Sequence, residues 1–302
     1  MDIAVFGNIN LDVIALTERE KKSSEERRIV DYQISLGGTA TNTAVHFKRL
    51  QNNVFLNGAV GNDTFGNILM EKIKKTGVST KNIETIDKEK TGFCFVTVHD
   101  DTGHRFLQTF RGANELFKPN KDNWRFLNHF AGMNTFQIKA IATFINPSLI
   151  NTYTPGGIVS FENPAEVIDL SEKFDVIFFN EKEWENVRHY GNVRSDIVVV
   201  TKGNNGAEII GGPEHGRYDV APKDTTGAGD AFCAGFLHLY ARKAPLIDCL
   251  ALGNVMGGIT VKEYGAQGIF EINDIISFLK INEPELLKYL EGAEKQPPGY
   301  NQ

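Results

Sequence analysis

Cysteine, tryptophan, methionine and net positive charge are all scarce in this chain, and each shortage closes off a class of protein. The 302 residues include three cysteines, Cys94, Cys233 and Cys249, with no Cys-x-x-Cys pair. That excludes a disulfide framework. Apolar neighbours mark all three as small core residues of a reducing compartment. None of the seven histidines shows metal-ligand spacing. No apolar run approaches the ~18 residues of a membrane-spanning helix. The N-terminus, Met-Asp-Ile-Ala-Val-Phe-Gly, has neither a basic region nor a cleavage site, so it reads as a strand rather than a signal. The expected location is cytoplasmic. The formal charge is −6, and the basic runs Lys21-Lys22 and Arg27-Arg28 are interleaved with acids, which argues against a nucleic-acid partner. With 2 Trp and 4 Met against 21 Phe, the core is expected to rest on Phe beside Ile and Val.

What is present has the balance of an ordinary globular protein, 41% apolar and 23% charged. Ile3 to Phe6 is a short apolar run ending at Gly7, the pattern of a strand buried on both faces. Ala40, Ala44, Phe47 and Leu50 recur at helical spacing, Val54 to Val60 is strand-like, and Phe65, Ile68, Leu69 and Ile73 mark a helix that Gly77 terminates. Ile158 to Phe161, Val176 to Phe179 and Ile197 to Thr201 read as further strands. Three helices follow, near 228–241, 246–263 and 272–279. This alternation predicts an α/β fold with a mostly parallel sheet.

Two stretches, about 13–36 and 91–112, read as strands without helices between them and are assigned to a small β-sheet lid. The main domain then comprises 1–12, 37–90 and 113–295, with a frayed tail at 296–302. In the second stretch Asp100-Asp101-Thr102-Gly103 is a good hairpin turn. Phe93 and Phe95, with Phe106, Gln108 and Phe110, fall on one face by the two-residue period. Such a face needs a ligand, a second subunit or the main domain to cover it.

The most informative segment is Asp224-Thr225-Thr226-Gly227-Ala228-Gly229-Asp230-Ala231-Phe232. Glycines before a helix bring backbone N–H groups close to an anion, and the helix N-terminus adds partial positive charge. Asp230 falls in the first turn, where a carboxylate can take a hydroxyl proton. Rival nucleotide motifs fail. Gly61 to Gly66 has P-loop spacing, but Asn67-Ile68 replaces the required Lys-Ser/Thr. Phe232 occupies the third small position of a dinucleotide fingerprint, which disfavours an oxidoreductase.

Asp224 to Asp230 resembles the C-terminal signature of the PfkB/ribokinase family of carbohydrate and nucleoside kinases, and further motifs follow the family's order. Asn10-Leu11-Asp12 is similar to its substrate-binding Asn-x-Asp, and Gly37-Gly38-Thr39-Ala40-Thr41-Asn42 to its di-glycine motif. Asn180 to Glu183 looks like its Asn-x-x-Glu, and Thr201-Lys202-Gly203-Asn204-Asn205-Gly206 like its nucleotide-side loop. The resemblance implies a three-layer ribokinase-like α/β/α domain with a lid and ATP as phosphoryl donor. It makes Asp230 the base, with Gly227, Ala228 and Gly229 as the anion cradle. Asn10, Asp12, Gly37, Gly38 and Asn42 would bind the acceptor. Thr201, Lys202, Gly203, Gly206, Asn254, Gly265 and Ala266 would bind the nucleotide. Mg²⁺ would be held near Asn180 and Glu183 through water and phosphate, and a monovalent cation near Asp224 and Thr226.

Ribokinases typically carry lysine where this chain has Thr39, and the di-glycine string and phenylalanine-rich hairpin look closer to archaeal-type nucleoside kinases. The expected acceptor is the 5′-hydroxyl of a ribonucleoside; the phenylalanines either stack on its base or bury a lid–lid dimer contact, or do both. The alternatives are a sugar or sugar phosphate, and a catalytically silent ligand-binding homologue. A homodimer through the lid is the expected assembly.

Overall fold

Alternate residues of each central strand pack in opposite directions, and this decides the architecture. Ile3 and Val5 join one core cluster while Ala4 and Phe6 join another; Val176 and Phe178 separate from Ile177 and Phe179 in the same way. A sheet buried on both faces needs helices on both faces.

The computed structural model describes residues 1–17, 28–99, 105–143 and 145–290. The strands are β1 (Asp2–Gly7), β2 (Asn10–Thr17), β3 (Ile29–Gly37), β4 (Asn53–Gly61), β5 (Ser79–Ile86), β6 (Phe93–His99), β7 (Arg105–Phe110), β8 (Leu127–Ala131), β9 (Ile150–Thr154), β10 (Val176–Asn180), β11 (Ile197–Thr201), β12 (Ala207–Ile209) and β13 (Glu214–His215). The α-helices are α1 (Thr39–Arg49), α2 (Thr64–Lys75), α3 (Ala113–Leu116), α4 (Thr135–Ala142), α5 (Gly156–Glu162), α6 (Pro164–Ser171), α7 (Glu181–Arg188), α8 (Ala228–Tyr240), α9 (Leu246–Thr260) and α10 (Ile272–Asn282).

The large sheet has the order β13-β12-β11-β10-β9-β8-β1-β4-β5 and is parallel except at β12 and β13. Helices α1, α2, α8, α9 and α10 cover one face and α3 to α7 the other. The expected three layers are present. A separate sheet, β3-β2-β6-β7, is formed by the strands that interrupt the alternation. The hairpin turn at 100–103 and the tail at 296–302 lie outside the described residues. Among the described residues, no helix is long and apolar enough to cross a membrane.

One expected strand is a helix. Ile158 to Phe161 lies inside α5, and the neighbouring strand is β9, upstream of Pro155-Gly156-Gly157. A four-residue apolar run has no period of its own, so length and flanking residues must decide. Here Ile158 and Phe161 are exposed while Val159 is buried, the one-sided burial of a surface helix.

The lid's register corrects a second expectation. Phe93 pairs with Phe110 and Phe95 with Gln108, so the phenylalanines do share a face. Asp12, however, pairs with Cys94, and Cys94 with Thr109, which puts Asp12 on the opposite face. Phe93 packs instead against Phe65 of α2, ring centroids 6.4 Å apart. The aromatic set is turned away from the acceptor motif.

Helices α8 and α9 approach closely because glycines face the contact. A Cβ on Gly235 would stand 2.7 Å from the Leu252 carbonyl oxygen, and one on Gly253 2.7 Å from the Phe232 ring. Gly235→Ala is therefore expected to cost about 1–3 kcal/mol, read as a lower urea midpoint. Gly258→Ala, on the same α9 but 3.7 Å from its nearest neighbour, should be neutral or stabilising by up to ~1 kcal/mol.

Candidate active site

Parallel strands end together, and the chain segments leaving their C-terminal ends converge on one crevice. After β1 the chain passes through Asn8 and Ile9 directly into β2. Asp12 thus lies inside a lid strand rather than in a loop past β1. Its carboxylate occupies the space over Gly37, where a Cβ would stand 2.0 Å from the carboxyl carbon. Any side chain at Gly37 would displace it. Asp12 is 8% exposed, and its Oδ1 is buried with no hydrogen-bond partner. Burial pushes its pKa up to about 7. A buried acceptor left without a donor is costly, and a hydroxyl-bearing ligand would supply one.

Gly38 begins α1 at φ 87°, where a Cβ would meet the Asn8 carbonyl oxygen at 2.3 Å. Four residues on, buried Asn42 donates from Nδ2 to Asp230 Oδ2 at 2.8 Å. Its Oδ1 accepts from Gln267 Nε2 at 3.0 Å. The di-glycine motif and the C-terminal signature are thus joined by one side chain.

Gly227 caps α8 at φ 75°; a Cβ there would stand 1.9 Å from the Ala266 carbonyl oxygen. Gly229 is different. It is exposed, with nothing within 4 Å of a Cβ position, so the protein's own packing does not demand glycine there. The Ala228 amide donates to Thr225 and that of Ala231 to Gly227, while the amides of Gly229 and Asp230 find no acceptor among the described residues. An open cradle with free amides at a helix N-terminus suits a phosphate. Asp230 stands in this first turn, partly exposed. Its pKa is pushed up to about 7 by burial first, then by the like charges of Asp12 and Glu183, against the Asn42 hydrogen bond.

The remaining motif residues build the walls. Lys202 forms an ion pair with Glu208 at 2.6 Å, and Thr201 Oγ1 donates to the Phe179 carbonyl at 3.4 Å. Gly203 and Gly206 hold φ of 53° and 82° in the turn from β11 to β12. Asn254 on α9 donates to the carbonyls of His215 and Gly216, both at 3.1 Å. Asn180 caps α7 in a reciprocal box with Glu183, their amide–oxygen distances 3.0 and 2.9 Å. Read alone, Glu183 is expected to be a surface acid. It is instead 7% exposed, its pKa raised by burial, and its charge reaches Asp230. Both oxygens of Asp224 accept backbone amides, from Thr226 at 2.8 Å and Gly265 at 2.9 Å, which staples the loop at 265–266 to the cradle. Asn10 faces a protein partner, accepting from Asn114 Nδ2 at 2.9 Å.

Four contributors escaped the sequence reading. Gln267, directly after Ala266, holds Asn42 and also donates to the Leu36 carbonyl of the lid at 3.2 Å. Arg49 donates to the carbonyls of Gln267 and Gly268 from α1, and His46 contacts the Ala266 carbonyl at 3.3 Å. Asn114 ties both crossings into the lid: its Oδ1 accepts from the Ile9 amide at 2.8 Å and its Nδ2 donates to the Arg111 carbonyl at 2.9 Å. It stands in the short stretch Ala113-Asn114-Glu115-Leu116-Phe117, whose mixed composition marks no site.

No group of three or more His, Cys, Asp or Glu suited to a metal occurs among the described residues. A cation here would draw its ligands largely from phosphate and water.

Known proteins resemble this chain along nearly its whole length. A protein from Halopiger xanaduensis named ATP-dependent ribose-1-phosphate kinase is 28% identical, covering 90% of this chain and 96% of its own. A ribokinase of Lactococcus lactis is 27% identical, covering 93% and 98%. The crystal structure of a Methanocaldococcus jannaschii nucleoside kinase, an archaeal member of the ribokinase family, shares the fold with a TM-score of 0.84 at 22% identity, covering 93% and 98%. The family model for pfkB carbohydrate kinases matches residues 1–273. The chain belongs to the pfkB family of carbohydrate kinases and is a small-molecule kinase of ribokinase fold.

Proposed function

We propose that this protein transfers the γ-phosphoryl group of ATP to the primary hydroxyl of a ribose-bearing acceptor. The observation that carries the reading is the meeting of Asp230, Asn42 and the open Gly229 cradle at the start of α8. The acceptor hydroxyl gives its proton to Asp230 and its oxygen bonds to the γ-phosphorus. The bond from that phosphorus to the β–γ bridging oxygen breaks, and ADP leaves. Free amides of Gly229 and Asp230 stabilise the developing charge. Asp12 accepts from sugar hydroxyls with its unpartnered oxygen. Mg²⁺, held through phosphate and water beside Glu183, would neutralise phosphate charge.

Thr201, Lys202, Gly203, Gly206, Asn254, Gly265 and Ala266 frame the nucleotide side, as hairpin and loop structure rather than as free polar groups. On the acceptor side a ribonucleoside 5′-hydroxyl fits the chemistry, and a sugar phosphate fits it equally. The phenylalanine face gives the base no surface beside Asp12. The relative named for ribose 1-phosphate favours the second acceptor.

That phenylalanine face is the surface on which we place the homodimer. Tyr32, Ile34, Phe106 and Phe110 lie on it, exposed by 39% to 67%. Phe106→Glu should halve the mass seen by light scattering, and a wild-type monomer would refute the lid dimer.

Coupled ADP-release assays over ribonucleosides, ribose, fructose and ribose 1-phosphate test the activity. Asp230→Asn should keep the fold by circular dichroism and lower turnover by about two to four orders of magnitude. In the wild type kcat/KM should rise with pH as Asp230 loses its proton near pH 7, then level off. Near-normal turnover in the variant, or a flat profile from pH 5.5 to 8.5, would count against Asp230.

The same burial that tunes these acids costs stability. The Asp12 pKa is about 7 in the fold and near 4 in an unfolded chain, so the folded form binds more protons between those values. Stability from this group is full below pH 4 and is lost as pH rises to 7. Asp12→Asn removes a cost of roughly 1–4 kcal/mol, so the ligand-free Tm should rise by about 2–6 °C at pH 8, with the gain vanishing toward pH 4. A lower Tm at pH 8 would contradict the burial argument.

A further inference from the structure

Arg111 follows β7 at the base of the lid. Thr109, two residues earlier, is registered with Cys94 on the Asp12 face, and the same period carries Arg111 toward that face. Its guanidinium Nη1 lies 3.4 Å from the Gly132 carbonyl oxygen, just past the end of β8. That carbonyl already accepts Asn8 Nδ2 at 2.8 Å, so it does not need the arginine. Gly132 also stands against Thr39 at the start of α1, since a Cβ there would lie 3.5 Å from Thr39 Oγ1. Arg111 therefore occupies the rim where β1, β8 and α1 meet. It is half-buried, and no carboxylate comes within ion-pair distance of it among the described residues.

A partly desolvated guanidinium with a single long hydrogen bond is an unfinished interaction. Five N–H donors in a rigid fork match a phosphate in two-point geometry. Its placement relative to the acids is informative. Burial alone raises Asp12, and the charges acting on Asp230 are those of Asp12 and Glu183. Arg111 pairs with neither carboxylate among the described residues, and it reaches the crevice at Gly132, beside the start of the helix that carries Asn42. An acceptor that offers its hydroxyl to Asp230 must reach Arg111 with its opposite end.

We propose that Arg111 anchors a phosphate on the far carbon of the acceptor, making a pentose phosphate of the ribose 1-phosphate type the preferred substrate over neutral sugars and nucleosides. This rests on the kinase reading above. The carboxylates of Asp12 and Asp230 contribute to the same choice: they favour hydroxyls of the acceptor beside them and leave the rim as the place for the acceptor's own phosphate. A nucleoside offers Arg111 no anion.

The test compares ribose 1-phosphate with ribose and adenosine in the wild type, Arg111→Ala and Arg111→Lys. The ratio of kcat/KM for ribose 1-phosphate to that for ribose should fall about 10- to 100-fold in Arg111→Ala, chiefly through KM, and partly recover in Arg111→Lys. Calorimetric titration of ribose 1-phosphate into Asp230→Asn, with and without Arg111→Ala, should show a loss of affinity of similar size independent of turnover. Turnover of ribose 1-phosphate with an unchanged ratio and unchanged affinity would overturn the anchor and leave the kinase reading standing. A wild type that prefers adenosine would also overturn it. A protein that turns over none of the acceptors would remove the kinase reading itself.

Discussion

The hydrogen bond from Asn42 to Asp230 spans 188 residues of sequence and joins the first turn of α1 to the first turn of α8. Everything chemical in the crevice is arranged around it. Asn42 can point at Asp230 only because Gly38 lets the chain turn into α1 at positive φ, and because Gln267 holds the other side of the amide. Gln267 is held in turn by Arg49, which lies two turns further along α1 and stacks on Phe270 with 4.3 Å between guanidinium carbon and ring centroid. The loop after α9 is therefore part of the device that fixes the Asp230 carboxylate. A small movement of that loop would be felt at Asp230 through one amide.

How much of this was legible follows from what a sequence can encode locally. The glycine-led start of α8 was legible because Gly227, Gly229 and Asp230 are placed by backbone geometry and a helix start, both of which depend on adjacent residues. The spacing of Gly61 and Gly66 was correctly refused as a P-loop, and the structure explains the spacing. A Cβ on Gly66 would stand 2.2 Å from the Gly61 carbonyl oxygen, and Asp63 caps α2 while holding Thr91. The role of Gly37 was visible only as permissiveness. That its missing side chain makes room for Asp12, 25 positions earlier, needs the register between β2 and β3.

The errors came from the same boundary. Parity along one strand placed Phe93, Phe95, Phe106 and Phe110 together, and that was right. Parity says nothing about which face the next strand turns toward the main domain, so the aromatic set was aimed at the acceptor when Asp12 looks the other way. Ile158 to Phe161 failed for want of length, since four residues fit one face of a helix as easily as a strand. Asn180 and Glu183 show a milder form. Their spacing is that of a capping box, and the structure makes it one, yet burial turns the cap's glutamate into a charge that acts on Asp230.

Three acids with raised pKa in one crevice would be a liability in a protein that only had to fold. Burial and mutual repulsion both disfavour their charged forms. The arrangement makes sense when charge is divided by position. On the proposed reading, positive potential would meet the phosphates at the α8 N-terminus and at the rim beside Arg111, while the carboxylates would face the acceptor's hydroxyls. Each ligand group that enters then improves a different unfinished interaction. A sugar hydroxyl would complete Asp12, a phosphate the open amides, and an anion on the acceptor Arg111. The free protein carries the strain of all three, so binding an acceptor that fits every one of them is favoured over binding one that leaves any of them bare.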